Sequence, residues 1–420
     1  MTACARVSPR PPVGASRREL ALYVLVALAS ALLMLWLWTW NARHGDFGIE
    51  AAPSFVALLH GHISTFLRTA PSYGGSLLLR APFALPASLA GGNLLLIYRL
   101  SALPCLLAIG ALGVWLARDL RRAGFGVLVA AMALELCVAN PITYQALQLG
   151  HPEELLGAAL CVAAVLLAQR GHINWSAVAL GLAIANKEWG LLAIGPVLIA
   201  APAGRWRILA IAGAISGALL APILLASPSL ASGADNLSMS SGTSVIFHPW
   251  QVFWFFARRG DWDPQAGLFI PSGFRLPPAW LGGGAHVLIV ALAAPATLLA
   301  MLRRTRTADA LLLLALLMLL RCWLDPWDNV YYPVPFLFAL LAWETTVARR
   351  PPLRAATATA ATFLIFWYLP DHLSPDAQAL SFLIPATLAL ALIAARVYRL
   401  RPLRLRAGAP GLIRAPAAPL

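Results

Sequence analysis

Charge is what this sequence has least of. Only 11 % of its 420 residues are charged and the acids number 17, where a soluble domain carries about 25 % charged residues. Too few remain to cover a water-facing surface, so a soluble globular protein is excluded. Lysine is almost missing: Lys187 is the single one among 31 basic residues. Cysteine is sparse as well. The five thiols (Cys4, Cys105, Cys137, Cys161 and Cys322) show no paired spacing. That excludes a disulfide scaffold and leaves small buried hydrophobes as the simpler reading. No internal repeat is present, which counts against a transporter built from two related halves. A cleavable signal pattern is also missing. The basic stretch up to Arg18 leads into a full-length apolar run, read as a retained anchor.

Apolar residues are abundant instead, at 60 %, with a mean hydropathy of +0.75. Runs of roughly 17–25 apolar residues recur from end to end. They predict an all-α, polytopic transmembrane helical bundle of about 11–12 spans. The spans are expected at 20–40, 93–117, 125–146, 155–169, 175–186, 189–203, 208–226, 283–302, 308–324, 332–347, 355–369 and 377–395. Residues 20–395 then form one membrane domain between a basic N-terminal stretch, 1–19, and a basic tail, 396–420.

The net charge of +14 raises nucleic acid as a partner, but its distribution argues for a membrane surface. With the N-terminus inside, 22 of the 31 basic residues fall on short cytoplasmic connections and six on the opposite side. This is the positive-inside pattern of a multi-pass protein with both termini cytoplasmic, expected in the plasma membrane. Twelve of the 17 acids fall outside, which the rule for basic residues does not explain. The two long loops, 41–92 and 227–282, are extracytoplasmic in this scheme. In the first, Ser54–Leu67 and Ser76–Leu89 have the spacing of interfacial helices. In the second, Ser229–Ser244 reads as a mobile connection, and the aromatic-basic stretch Phe247–Arg259 as an interfacial helix at headgroup level. The parity depends on 175–203. A hairpin turning at Asn186-Lys187-Glu188-Trp189 preserves the charge rule, whereas one long helix reverses every later loop.

Four groups carry candidate chemistry, and all fall on the same side of a topology set from basic residues alone. Asp46 lies just past the first span, with Glu50 four residues on and on the same face if the segment is helical. A rim carboxylate can take a proton from a hydroxyl as general base; a solvated loop acid is the plainer alternative. Next come His151-Pro152-Glu153-Glu154. Proline and acids in a first turn are ordinary helix-start chemistry, which accounts for Glu154. His151 and Glu153 are candidates for binding sugar hydroxyls or a phosphate. Lys187, with Glu188 beside it, is a membrane-embedded cation that must be paired or wet. A lipid phosphate fits it, and so does a structural acid such as Glu153 or Asp325. Last is Arg321, with Asp325 at i+4 for an intrahelical pair. Asp325 and Asp328 stand among tryptophans and tyrosines, Tyr332 included, as in a carbohydrate subsite. Arg321 has the donors to grip phosphate. His248, in the second long loop, completes the candidate substrate-binding set.

On these residues the chain resembles a GT-C superfamily membrane glycosyltransferase. It is most similar to the bacterial polyprenol-phosphate-mannose-dependent alpha-mannosyltransferase family. The resemblance rests on the first span followed by a long loop with an early Asp46-Phe47, the Gly150–Glu154 turn, the Gly181–Glu188 segment and the Asp325–Tyr332 turn. It implies that Asp46 is the catalytic base and that the donor is a polyprenyl-phosphate-linked sugar. It further implies inversion at the anomeric carbon and a glycan or glycolipid acceptor on the extracytoplasmic face. The sugar is mannose or another hexose or pentose. Lys187 and Arg321 are then placed to stabilise the departing phosphate. No obligatory cofactor or metal is expected, although the clustered acids have oxygen ligands for Mg²⁺ or Mn²⁺. Expected partners are membrane lipid, the lipid-linked donor and the acceptor, with no nucleic acid. The alternative is a transporter or flippase for a lipid-linked or anionic solute, with Lys187, Glu135 and Arg99 along a midplane path.

Overall fold

The computed structural model describes residues 16–38, 45–71, 73–227, 247–259, 262–263, 268–269, 273–276 and 281–400. The basic stretch before Ser16, Ser229–Ser244 and the tail after Leu400 lie outside them.

Helix α1 (Arg17–Trp38) opens the bundle. A π-turn, Phe47–Ala51, then leads into α2 (Ala52–Leu59), α3 (Ile63–Arg68) and α4 (Gly74–Ala84). The longest helix, α5 (Leu94–Arg122), is started by the Asn93 side chain, which accepts from the Leu95 N–H. α6 (Val127–Val138) and α7 (Pro141–Leu149) form one apolar stretch interrupted at Asn140, whose side chain caps α7. α8 (Pro152–Gln169) and α9 (Ile173–Asn186) follow. Beyond Lys187 a 3₁₀ turn, Glu188–Ala193, runs into α10 (Ile194–Ala200), and α11 (Arg205–Ala226) comes after it. The last helices are α12 (Leu281–Leu302), α13 (Ala310–Leu324), α14 (Val334–Ala342), α15 (Leu353–Phe363) and α16 (Pro375–Val397). Among the described residues, strand is confined to two antiparallel pairs of two-residue segments between Arg258 and Leu276.

Among the described residues, eight stretches are long and apolar enough to cross a membrane: α1, α5, α6–α7, α8, α11, α12, α13 and α16. The protein is thus an all-α, multi-pass bundle. The remaining expected spans are helical but short, as in 173–186, 188–200 and 334–347. Burial sorts the long helices by position. In α8 and α13, 78 % of the apolar window is buried, against 22 % in α1, α12 and α16. Helices that are apolar all round and enclosed by others are central, so α8 and α13 form the axis of the bundle.

The stretch 175–203 is a hairpin. Lys187 is fully extended (φ −161°, ψ 143°), and the chain doubles back so tightly that a Cβ on Gly190 would stand 2.6 Å from the Ala183 carbonyl oxygen. Two short segments that turn inside a bundle are admissible where protein encloses the exposed backbone.

Two loop expectations change. The Phe247–Arg259 stretch is not an interfacial helix. It forms a 3₁₀ turn, Val252–Phe256, flanked by extended Gln251 and Ala257, and ends in the two-residue strand segment Arg258–Arg259. Trp254 is fully buried rather than lying in a belt, and its indole donates to Asp376 (2.8 Å). Within Ser76–Leu89, α4 is drawn into the bundle, with Ser76, Leu77, Arg80 and Ala84 all buried.

Candidate functional site

The site begins with an anchored turn. Phe47 is fully buried and stacks on Tyr98, with ring centroids 4.5 Å apart. This leaves the neighbouring Asp46 at the surface, its side chain 48 % exposed. The Phe47 backbone is backed by Gly150, which ends α7 in the left-handed region (φ +96°); a Cβ there would lie 2.5 Å from the Phe47 nitrogen. Only glycine fits both demands. The next residue, His151, is thereby set against Asp46, with Nε2 2.8 Å from Oδ2. Its other nitrogen, Nδ1, lies 2.7 Å from Glu153 Oε1. The imidazole also stacks on Tyr331 (4.5 Å) and meets Tyr73 edge-on (6.2 Å).

From Glu153 a network of charges runs inward along the start of α8. Lys187 Nζ lies 3.5 Å from Glu153 Oε1 and 2.8 Å from Glu154 Oε1. Arg321 Nη2 approaches Glu154 Oε1 at 3.6 Å, and its guanidinium lies over the rings of Tyr332 (4.4 Å) and Trp189 (5.2 Å). Lys187 sits over the Tyr73 ring at 4.8 Å. Cation and carboxylate alternate here, as buried charges must. Lys187 is paired with acids, and of the acids anticipated for it Glu153 is one. Three buried polar atoms of this region have no hydrogen-bond partner: Glu154 Oε2, Asn186 Oδ1 and Arg321 Nη1.

A carboxylate at each ring nitrogen favours the protonated form of His151. Burial opposes its charge, but the Glu153 charge and the hydrogen bonds with Asp46 and Glu153 outweigh burial and raise its pKa to about 9. Glu50 belongs to the same surface turn, and its Oε2 accepts from the Tyr73 hydroxyl at 2.5 Å. Burial, followed by the Glu153 and Glu50 charges, pushes the Tyr73 phenol well above its ordinary range, so it stays a donor. Asp46, Glu50 and His151 present one ligating atom each within 4.8 Å of one another, spacing that suits a metal ion. In this structure those atoms are engaged by the histidine and tyrosine contacts just described.

The Asp325–Tyr332 turn is next to this network but is arranged differently from expectation. Asp325 does not pair along its helix with Arg321. It caps α13 in an extended conformation, which directs the carboxylate to His286 (3.4 Å) and to the Trp327 N–H (3.1 Å). Burial disfavours its charge, yet His286 and Arg321 hold its pKa below the ordinary value. Asp328 is fully buried, and neither carboxyl oxygen has a hydrogen-bond partner. Burial and the nearby Asp325 charge push its carboxyl well above the usual range. The expected pair of hydroxyl-binding acids is therefore one engaged carboxylate and one enclosed acid. His248 is tethered to this turn through Nδ1 and the Asp328 carbonyl oxygen (2.8 Å). Glu188 is exposed and forms no ion pair among the described residues.

His286, Tyr73 and one buried cation of the network are not among the sequence candidates. Arg80, fully buried on α4, donates to Glu153 Oε2 (3.2 Å), the Ser101 carbonyl (2.9 Å) and Ser101 Oγ (3.3 Å). Its only sequence signal is a lone arginine in an otherwise apolar segment. All the grouped side chains stand at one end of the bundle, where α8 begins and α13 ends. The ion pairs Arg121–Glu19 (2.8 Å), Arg350–Glu344 (3.0 Å) and Arg170–Asp119 belong to the opposite helix ends. Comparison with family models, curated proteins and solved structures finds no match for this chain.

Proposed function

We propose that this protein is an integral-membrane glycosyltransferase. It transfers a sugar from a polyprenyl-phosphate donor to a glycan or glycolipid acceptor on the extracytoplasmic side of the plasma membrane. The observation that carries the reading is the half-exposed Asp46 carboxylate at the mouth of a buried ionic network, at a single end of the bundle. A general base must reach solvent-borne substrate while being held in place. In this mechanism Asp46 accepts the acceptor's hydroxyl proton. The acceptor oxygen forms its bond to the anomeric carbon from the face opposite the phosphate, and the carbon–oxygen bond to phosphate breaks. Its electron pair leaves with the polyprenyl phosphate, and configuration inverts. Arg321, with Nη1 unpartnered, and Lys187 are the buried cations of the network that this reading assigns to that developing charge. Mannose, or another hexose or pentose, is the sugar this reading carries.

The competing reading is transport of a lipid-linked or anionic solute through Lys187, Glu135 and Arg99. Their surroundings do not favour it. Glu135 accepts from Ser30 (3.0 Å), Arg99 donates to the Trp36 carbonyl (3.1 Å) and Lys187 faces Glu153 and Glu154. The test is transfer of labelled sugar from polyprenyl-phosphate donors in membranes bearing the protein, beside Asp46→Asn. Loss of product in the variant is the expected result. Unchanged transfer removes Asp46 from its role, and solute uptake without a covalent product replaces the enzyme by a transporter.

A further inference from the structure

Among the residues grouped around Asp46, two resemble substrate ligands in sequence but have no free valence for substrate in the structure. His151 uses both ring nitrogens, toward Asp46 (2.8 Å) and Glu153 (2.7 Å). Glu153 uses both oxygens: Oε1 faces His151 and Lys187, and Oε2 accepts from Arg80. The far end is fixed more firmly still. The Arg80 guanidinium is held by Ser101 through two separate bonds and lies against the Phe55 ring at 5.6 Å. Arg80 and Glu153 are both fully buried, so neither touches a substrate at the surface.

We propose that Arg80, acting through Glu153 and His151, is a positioning residue for the Asp46 carboxylate. The proposal rests on the glycosyltransferase reading. A histidine that donates from both nitrogens to two carboxylates is locked in rotation about its ring, and charge-assisted bonds of this kind are about twice as strong as neutral ones. The chain of contacts therefore fixes Asp46 Oδ2 and leaves Oδ1 to accept the acceptor's proton. Arginine is needed at the buried end because its planar fork reaches Ser101 and Glu153 at once, which a lysine ammonium does not reproduce.

The role is distinguished from substrate binding by which kinetic constant moves. In the labelled-sugar assay on the full-length protein, Glu153→Gln and Arg80→Lys are expected to lower kcat on the order of 10²-fold, the effect of misplacing a reacting group by about 1 Å. KM for donor and for acceptor stays unchanged. Because either single change can impair folding, the double variant Arg80→Gln/Glu153→Gln is measured as well. It replaces the buried ion pair by two amides, and thermal unfolding reports its fold. A folded double variant with low kcat and unchanged KM supports positioning. Wild-type kcat in Glu153→Gln or in the double variant, or a loss confined to KM, overturns it. Asp46→Asn, run in parallel, separates the two levels. Unchanged transfer there refutes the enzyme reading, whereas loss there beside wild-type kcat in Glu153→Gln refutes the positioning role alone.

Discussion

Gly150→Ala is the most informative single change, because the structure supplies both its cost and its control. At φ +96° the new side chain meets the left-handed penalty of about 1–2 kcal/mol. Its Cβ would also lie 2.5 Å from the Phe47 nitrogen, where ordinary contact begins at 3.4 Å, so Phe47 must retreat by about 0.9 Å. Phe47 is fully buried between Tyr98 and Phe55, and crowding a packed site costs about 1–3 kcal/mol more. The neighbouring Asp46 moves with it. A hydrogen bond of 2.8 Å lengthened by that much passes the limit of about 3.6 Å at which it ceases to be one. Gly124 is the control, with φ +90° and nothing within 4 Å of a Cβ. Thermal unfolding in detergent should show Gly124→Ala losing only the left-handed part, and Gly150→Ala roughly 2–5 kcal/mol in all. Only Gly150→Ala should also abolish sugar transfer. Equal destabilisation of the two variants with full activity in both would refute the reasoning.

Three other outcomes follow from the site. Lys187→Met strips Glu153 and Glu154 of their shared ammonium, a loss of about 3–5 kcal/mol for a broken buried pair. Adding Glu154→Gln should restore much of it, and an unshifted melting temperature in Lys187→Met would show the pair to be dispensable. His151, raised from 6.5 to about 9, binds its proton more tightly folded than unfolded. Its contribution is complete below about pH 6.5 and is lost as the pH rises through about 9; His151→Gln should flatten that slope in a pH series of melting curves. Asp328, also raised, has the same sign. Wild type should lose stability relative to Asp328→Asn as the pH rises above the ordinary carboxylate range, and a constant difference between the two would show that folding does not raise the affinity of Asp328 for its proton.

Much of this arrangement is legible in the chain because membrane physics leaves strong marks. Apolar runs disclose the helices, and the single lysine between two apolar segments marks a cation that must be paired or wet. Asp46, His151, Glu153, Lys187 and Arg321 do meet at one end. What is hidden is pairing. Nothing in the i+4 spacing of Arg321 and Asp325 reveals that the cap turns Asp325 toward His286. Arg80 escapes notice because its partner is 73 residues away, and one arginine among leucines carries no address. Asp328 has the composition of a sugar-binding acid, and only its full enclosure shows otherwise. The aromatic stretch around Trp254 misleads for the same reason. Tryptophan suits a membrane rim and a packed core equally well, and composition does not separate them.

The order in which the charges are synthesised has a consequence for biogenesis. Arg80 is already made when Glu153 emerges, and Lys187 comes soon after Glu154. Arg321 arrives only once two further long helices, α11 and α12, have been produced. Until then Lys187 is the one cation of this network beside Glu154, so the charged end of the bundle matures late and in a single closing event. Chains truncated before α13 should be recognised by quality control as unfinished, however many of their helices are already inserted.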